Sequence, residues 1–480
     1  MAGIEKPIST ALLLCLALSA TAQDRPNEDA LFGAPAPANQ QPSTAPRDDT
    51  RELEPTKETG DAAAMPDTPD KPFQVGGAFY QRWISSKQRG VDLSDSPQSR
   101  PLQIDAFMDA RPNDRVRAFV DGRWNYDFAR DSNSSTVGAN SSNTPQATAG
   151  TDKPEFRFDQ AWLKFDVDRT VFITAGRQHI KWGTSRFWNP TDFINSEKRD
   201  SLATYDLRPG KDMIKFAVPR EATQTNYYGI ALFDGPDPGS TTDKMGGAFR
   251  AETVWQGAEV GADFVARGNR PPVYGVDISA PLGVFDVYGE MSLTTGSTTT
   301  YQSTAPLADG ADISTLFTSN TRQGPFLQIS GGGNYSFPWK ANRLATVGAE
   351  YFYNPLGYDD TAVYPLLVLT NQYQALYTGK QYAALYLTAE GFDSQKKTSY
   401  TLSTLSNLSD KSYLSRLNFT WQADTQITFE TYVQYHHGRE GGEFTYALNT
   451  PRMTYQGRTI SAINVPATVY DFGLGLRITF

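Results

Sequence analysis

The final eleven residues, Tyr470-Asp471-Phe472-Gly473-Leu474-Gly475-Leu476-Arg477-Ile478-Thr479-Phe480, alternate without interruption. Tyr470, Phe472, Leu474, Leu476, Ile478 and Phe480 are apolar or aromatic, and Asp471, Gly473, Gly475, Arg477 and Thr479 stand between them. Side chains of an extended chain point alternately to opposite faces, so this pattern specifies a β-strand with one apolar face.

The same ladder recurs upstream. Val116, Ala118, Val120, Trp124, Tyr126 and Phe128 share one parity, opposed by Arg115, Arg117, Asp121, Arg123, Asn125 and Asp127. Many strands of this kind fit an all-β, transmembrane antiparallel barrel with lipid outside and water within. Composition agrees: the chain is 39% hydrophobic, and after the N-terminal leader no apolar run approaches the roughly 20 residues of a spanning helix. It has 24 Tyr, 27 Phe and 8 Trp, many of them near the ends of expected strands, where barrels carry interfacial girdles. The soluble alternative is a β-sandwich or propeller.

The N-terminus reads as a secretory leader, residues 1–22: Lys6, an apolar core from Ile8 to Leu18, then Ala20-Thr21-Ala22 as a small-x-small cleavage site. Cys15, the sole cysteine, lies in that core, and a lipidated Cys15 would need small residues where Leu13-Leu14 stand. The mature chain is then left without a disulfide or a cysteine-ligated metal. Residues 23–72 hold Pro35, Pro37, Pro42, Pro46, Pro55, Pro66, Pro69 and Pro72 among small and polar residues. They have too little apolar surface to order themselves and read as a disordered periplasmic tether, in preference to a partner-binding tail. Eleven acids against five bases give this stretch a charge of -6, out of -9 for the whole chain, so the expected barrel, residues 73–480, is nearly balanced.

From Phe73 onward the pattern is strand, short turn, strand, long polar loop. Strands are expected near 74–84, 102–110, 115–128, 155–167, 170–178, 211–218, 225–234, 246–255, 258–267, 272–280, 283–293, 324–336, 342–353, 381–390, 396–406, 411–421, 425–437 and 467–480, which makes 18. Weak boundaries between 354 and 411 leave 16 open. Short turns such as Phe337-Pro338-Trp339-Lys340 alternate with long connections at 294–323, 354–380 and 438–466, as in barrels with short periplasmic turns and long external loops.

One long connection, near 179–210, lacks strand periodicity and is rich in Trp, Arg, Asn and Pro; a loop of that length is usually functional. It is expected to fold into the barrel as a constriction. From Arg177 to Lys215, Arg177, Lys181, Arg186, Lys198, Arg199, Arg208, Lys211 and Lys215 face five acids, a local charge of +3. Strand parity adds Arg82, Arg115, Arg117, Arg123, Arg267 and Arg416 to the lumen. Guanidinium groups pair with carboxylates in a two-pronged fork, so such a lumen would favour anions, uronate sugars included, with Trp182, Phe187 and Trp188 stacking on sugar rings. The alternative is that these arginines pair with wall acids and stiffen the barrel. The constriction set is Arg115, Arg117, Arg123, Arg177, Lys181, Trp182, Arg186, Trp188, Asn189, Asp192 and Arg208. Strict alternation from Val171, Ile173 and Ala175 would turn Arg177 outward unless Gly176 is a bulge or the strand has left the membrane there.

Gly176-Arg177-Gln178 at a strand end, Trp182-Gly183 and Asn189-Pro190-Thr191-Asp192 together resemble porin-like barrels of the alginate-export kind, over residues 172–218. The C-terminal strand resembles the signal read by the bacterial barrel assembly machinery. The resemblance implies a polysaccharide exporter or a related solute channel, with Arg177, Trp182, Asn189 and Asp192 in the lumen. It implies a Gram-negative outer membrane with its lipid and lipopolysaccharide, and periplasmic export partners if a polymer is carried.

The function expected is passage of polar, anionic solutes or an exopolysaccharide strand; the alternatives are a nutrient-uptake porin and, in another class, a barrel hydrolase. His179 lies near Ser185 and Asp192 in sequence, but no nucleophile elbow accompanies them. His436 and His437 are adjacent on a strand, face opposite ways and read as interfacial or loop residues. No cofactor, metal site or nucleic-acid partner is expected.

Overall fold

The computed structural model describes residues 72–129, 137–139, 145–147, 154–195, 197–206, 208–233, 245–268, 270–301, 308–312, 320–340, 342–369, 372–393, 397–455 and 457–480. The expected leader and tether, except Pro72, and most of the loop 131–153 lie outside the described residues.

Eighteen long strands follow one another: β1 (Phe73–Gln88), β2 (Pro101–Asn113), β3 (Val116–Asp127), β4 (Glu155–Val167), β5 (Val171–Gln178), β6 (Lys211–Arg220), β7 (Thr225–Leu232), β8 (Gly246–Trp255), β9 (Ala258–Arg267), β10 (Val273–Leu282), β11 (Phe285–Tyr301), β12 (Asn320–Lys340), β13 (Arg343–Tyr353), β14 (Gln381–Glu390), β15 (Thr398–Asn407), β16 (Ser412–Asp424), β17 (Ile427–Gly438) and β18 (Thr468–Thr479). Each pairs antiparallel with its sequence neighbour, and β18 returns to pair with β1 from Ala78↔Thr479 to Ser86↔Asp471. The sheet is therefore a closed barrel, a form that leaves no long strand with an unpaired edge. A two-residue strand, Gln98–Ser99, adds to the far end of β1. The strand count of 18 is the larger of the two expected, because β14 and β15 are both full strands.

Turn chemistry sorts the two ends. At one end no connection is longer than 391–397, and Asp168 and Arg169, both at φ 51°, make the kind of tight hairpin whose twist matches the flanking strands. The other end carries the long connections, among them 179–210, 354–380 and 439–467.

Burial runs opposite to that of a soluble protein. Leu163, Phe216, Phe249, Val276, Leu385, Leu417 and Leu474 are exposed on the outer face, whereas Asp105, Asp121, Arg123, Glu290, Glu350 and Asp471 are buried within. An apolar belt of this extent is what a bilayer covers. Of the terminal strand, Tyr470, Phe472, Leu474 and Phe480 are exposed and Leu476 and Ile478 half-buried, all on the outward parity. The last residue joins the seam: Gly77 N–H donates to the Phe480 carbonyl at 2.8 Å and Phe480 N–H to that of Gly77 at 3.0 Å.

Candidate functional site

The segment 179–210 runs inside the barrel, fastened by wall side chains in sequence. Trp182 comes first, packed with Ile194 against Met213 on β6, Ile230 and Leu232 on β7, Ala248 on β8 and Val265 on β9. Gly183 then turns with φ 94°, and a Cβ there would stand 2.5 Å from the Glu290 carboxylate. Glu290, on β11, accepts the N–H of Thr184 at 2.7 Å and of Ser185 at 2.5 Å, together with Asn189 Nδ2 at 3.0 Å. Its second oxygen accepts Thr191 N–H at 3.2 Å and Thr191 Oγ1 at 2.7 Å.

Two strands on, Glu350 of β13 repeats the device. It accepts three consecutive backbone N–H groups, from Arg186 at 2.9 Å, Phe187 at 3.1 Å and Trp188 at 2.8 Å, besides the Tyr288 hydroxyl at 2.9 Å. An irregular backbone buried in a lumen needs acceptors and donors that no ladder supplies, and bonds to a carboxylate are the strong kind. Trp188 is wholly buried, stacks on Phe352 at 5.9 Å between ring centroids, and donates its indole N–H to the Leu376 carbonyl at 2.9 Å.

The chain then swings to the opposite side of the ring. Tyr205 meets Tyr80 of β1 edge-on at 5.3 Å, and the guanidinium of Arg477 on β18 lies 4.0 Å from its ring centre. Arg208 closes the excursion, donating to Asp206 at 2.6 Å and to Asp192 at 2.8 Å. Burial alone would lower the Arg208 pKa, but the Asp206 and Asp192 carboxylates hold it above its ordinary value. Asn195 Nδ2 braces the inner turn on the Ile180 carbonyl at 2.7 Å, and Arg267 of β9 donates to the Ile194 carbonyl at 2.8 Å.

The sequence-expected residues fall into groups. Trp182, Trp188, Asn189, Asp192 and Arg208 are brought together as the internal framework of the segment. Trp182, Phe187 and Trp188 are 5%, 2% and 0% exposed, which corrects the expectation that they stack on passing sugars: their faces are spent on the wall. Lys181 and Arg186 are half-buried on the segment, with the Arg186 guanidinium 4.1 Å from the Tyr386 ring centre. Arg117 and Arg123 are on the inner wall but bound, Arg117 to Asp109 at 2.9 Å and Arg123 to Asp105 at 2.8 Å and Asp159 at 3.1 Å. Arg115 lies outside the strand, in the turn before β3, and donates to Asp166 at 2.9 Å from an exposed position; it is a rim residue rather than a wall residue. Gly176 has φ 124° but the register runs through it unbroken on both sides, so it is no bulge; Arg177 instead bonds its outward-parity partner Asp212 at 2.7 Å at the strand end.

Above the segment, the connections 354–380 and 439–467 fold together. A short helix α1 (Tyr364–Leu369) packs its Tyr364, Leu367 and Val368 against Tyr373, Tyr446 and Leu448. Beneath lies Glu443, which accepts the Leu376 N–H at 2.5 Å, the Tyr382 hydroxyl at 2.6 Å and Asn407 Nδ2 at 2.7 Å. Asp410 accepts Tyr364 Oη at 2.8 Å and Glu443 N–H at 2.7 Å. Burial first, and then the nearby Asp410 charge, push the Glu443 carboxyl up to about 8.

Glu290, Glu350 and Glu443 were not singled out from sequence. A signal existed for the first two: the cross-strand neighbours of Glu290 are Asp277 and Ser330, and those of Glu350 are Gly332 and Ala384. An inward carboxylate with no cation beside it must find donors elsewhere in the lumen.

The histidines are divided by strand alternation. His436 is buried against Asp471 at 2.7 Å and the Phe444 carbonyl at 2.8 Å, a wall residue rather than the interfacial one expected. His437 stacks with Tyr435 at 4.9 Å and Tyr413 at 5.3 Å. His179 bonds Asp159 at 2.9 Å.

The family model described as "Protein of unknown function (DUF1302)" matches residues 96–227, a span that contains the whole inner segment. No curated protein matches the sequence. Among solved structures, OccAB1 of Acinetobacter baumannii is similar with a TM-score of 0.51 and 11% identity, over 85% of this chain and 96% of that one. OccK9 (OpdG) of Pseudomonas aeruginosa gives 0.49 and 9%, over 85% and 98% of the two chains. OprB of Pseudomonas putida gives 0.46 and 12%, over 86% and 95%. The likeness to OccAB1 is one of fold, a porin-like barrel.

Proposed function

We propose that this chain is an outer-membrane channel for small polar solutes, with anions preferred. The observation that carries the reading is the inner segment. A closed barrel with a lipid-facing belt has a segment running along the inside of its wall from β6 through β13 to β1, fixed by Glu290 and Glu350. Such an arrangement narrows a water-filled lumen without sealing it by a separate domain, and selectivity then follows from the groups left on the narrowed path. The same observation favours small solutes over the polysaccharide strand suggested by the alginate-export resemblance, because a polymer would have to displace a segment held by many bonds.

In this reading the leader directs export, the outward residues Tyr470, Phe472, Leu474, Leu476, Ile478 and Phe480 are read by the assembly machinery, and transport proceeds down the solute gradient. Reversal potential across a planar bilayer under a KCl gradient tests it. The expected result is an ohmic pore whose reversal potential lies toward that of chloride. A silent bilayer, or cation preference, counts against the reading.

A further inference from the structure

Strand β4 carries one residue more than β3 can pair. Asp121 of β3 stands opposite Gln160 and Gly122 opposite Phe158, so Asp159 is passed over and forms a β-bulge. The extra residue resets the alternation: Phe156 and Phe158 are exposed on the outer face before it, Leu163 and Val167 after it. Bulges re-aim side chains, and this one leaves Asp159 wholly buried on the inner side of the wall.

Both ends of the inner segment meet at this bulge. His179, the first residue after β5, bonds its Nε2 to Asp159 Oδ2 at 2.9 Å. Gly210, the last residue before β6, donates its N–H to the Asp159 carbonyl at 3.2 Å, and a Cβ at Gly210 would stand 2.3 Å from that oxygen. Arg177, near the end of β5, donates from Nη1 to the neighbouring Phe158 carbonyl at 3.2 Å. The Asp159 carboxylate is itself held to the wall by Arg123 at 3.1 Å. Beside the bulge, Asp121 is wholly buried, and neither of its oxygens has a hydrogen-bond partner among the described residues. A buried region with surplus carboxylate favours a donor brought to it, and the segment brings His179.

We infer that Asp159 is a positioning residue of the constriction: it holds the departure and the return of the segment at one point of the wall, and so sets how far the segment projects into the lumen. Glu290 and Glu350 grip the middle of the segment from β11 and β13. That grip alone would fix neither the angle at which the chain leaves β5 nor the angle at which it rejoins β6. A mount on a strand holds its load more precisely than one on a loop. The inference rests on the lumen being a route for polar solutes, and adds to it the group on which the width of the aperture depends.

A spin label on the segment tests it. The chain beyond the leader holds no cysteine, so Glu197→Cys, at an exposed point of the segment, gives a single site for a nitroxide. In the purified full chain in detergent micelles, the label is expected to give the broad spectrum of a restrained group. Asp159→Ala should narrow it, whereas Asp114→Ala, which removes an exposed turn carboxylate, should leave it unchanged. His179→Ala should also narrow it, and His179→Gln, which can still donate to the carboxylate, should restore it. The double variant Asp159→Ala/His179→Ala should be no more mobile than Asp159→Ala, a coupling that general loosening of the wall would not produce. In planar bilayers, Asp159→Ala should shift the cut-off for neutral polyethylene glycols to larger polymers. Retained heat-modifiable migration on a gel shows that each variant is folded; if Asp159→Ala fails that check, Asp159→Asn and the His179 variants take its place. Unchanged mobility in the folded variants, or a loss in His179→Ala that His179→Gln does not restore, overturns the assignment. The label needs no open pore. A silent bilayer with Asp159-dependent mobility therefore sinks the channel reading alone, and a conducting pore whose mobility and polymer cut-off ignore Asp159 sinks this inference alone.

Discussion

Trp188 and Leu376 are joined by an indole N–H donated to a backbone carbonyl at 2.9 Å, and this bond ties the segment inside the barrel to the connection above it. Leu376 in turn donates its own N–H to Glu443 at 2.5 Å, so inner segment and external cap form one continuous structure.

Trp188→Ala removes a wholly buried ring, and a loss of about 3–5 kcal/mol is expected from a cavity of that size. Thermal melts in detergent check it. Because Trp188 acts on Glu443 through Leu376, the double variant with Glu443→Gln is expected to depart from additivity by about 0.5–3 kcal/mol; strict additivity would show the two regions to be independent.

Glu350→Ala leaves the buried N–H groups of Arg186, Phe187 and Trp188 without their acceptor. Each bond to a charged group contributes about 1.5–3 kcal/mol, not additively. The segment should detach from β13, and single-channel conductance should rise and become noisier. Glu350→Gln, which keeps one acceptor oxygen, should fall between. Conductance identical to wild type would deny the segment its role as a constriction.

The cap should respond to pH through Glu443. Its carboxyl is raised to about 8 in the folded chain, above the usual carboxylate range. Folding therefore favours the protonated form, and that stabilisation is complete at acid pH and is lost as pH rises through about 8. Proteolytic cleavage within 439–467 should accelerate between about pH 5 and pH 8 relative to Glu443→Gln, whose side chain does not titrate. Parallel pH profiles for the two proteins would remove Glu443 from the account.

Arg115 and Arg123 should behave differently although both were expected in the lumen. Arg115→Glu, at the exposed rim, should leave the reversal potential unchanged. Arg123→Ala strips the buried Asp105 and Asp159 of their shared cation, a change of about 3–5 kcal/mol, and should lower the melting temperature or prevent assembly. A shift in reversal potential for Arg115→Glu would place that residue nearer the path than its turn position does.

The barrel was legible because alternation is a local property: Val116 to Phe128 and Tyr470 to Phe480 announce their faces residue by residue. The inward course of 179–210 was legible from length and composition, but not its fastening. Glu290 and Glu350 sit in ordinary strands, and only the three-dimensional course of the segment brings Ser185 and Trp188 to them, 105 and 162 residues away in sequence. The cap was opaque for the same reason. Tyr364, Tyr373 and Tyr446 come from two connections without periodicity, and their mutual packing is a long-range event. Lumen arginines were found by parity, yet parity is silent on whether Asp105 or a solute holds the guanidinium.

Glu290 and Glu350 grip the inner segment chiefly by its main chain, at Thr184, Ser185, Arg186, Phe187, Trp188 and Thr191. Amide hydrogens are common to every residue but proline, so most substitutions along this stretch leave the grip intact. Divergence can thus rewrite the charges that Lys181 and Arg186 display while the aperture keeps its shape. A lineage built on this plan can explore new solutes by single replacements on the segment, and an engineer could do the same, provided the two wall carboxylates are left alone.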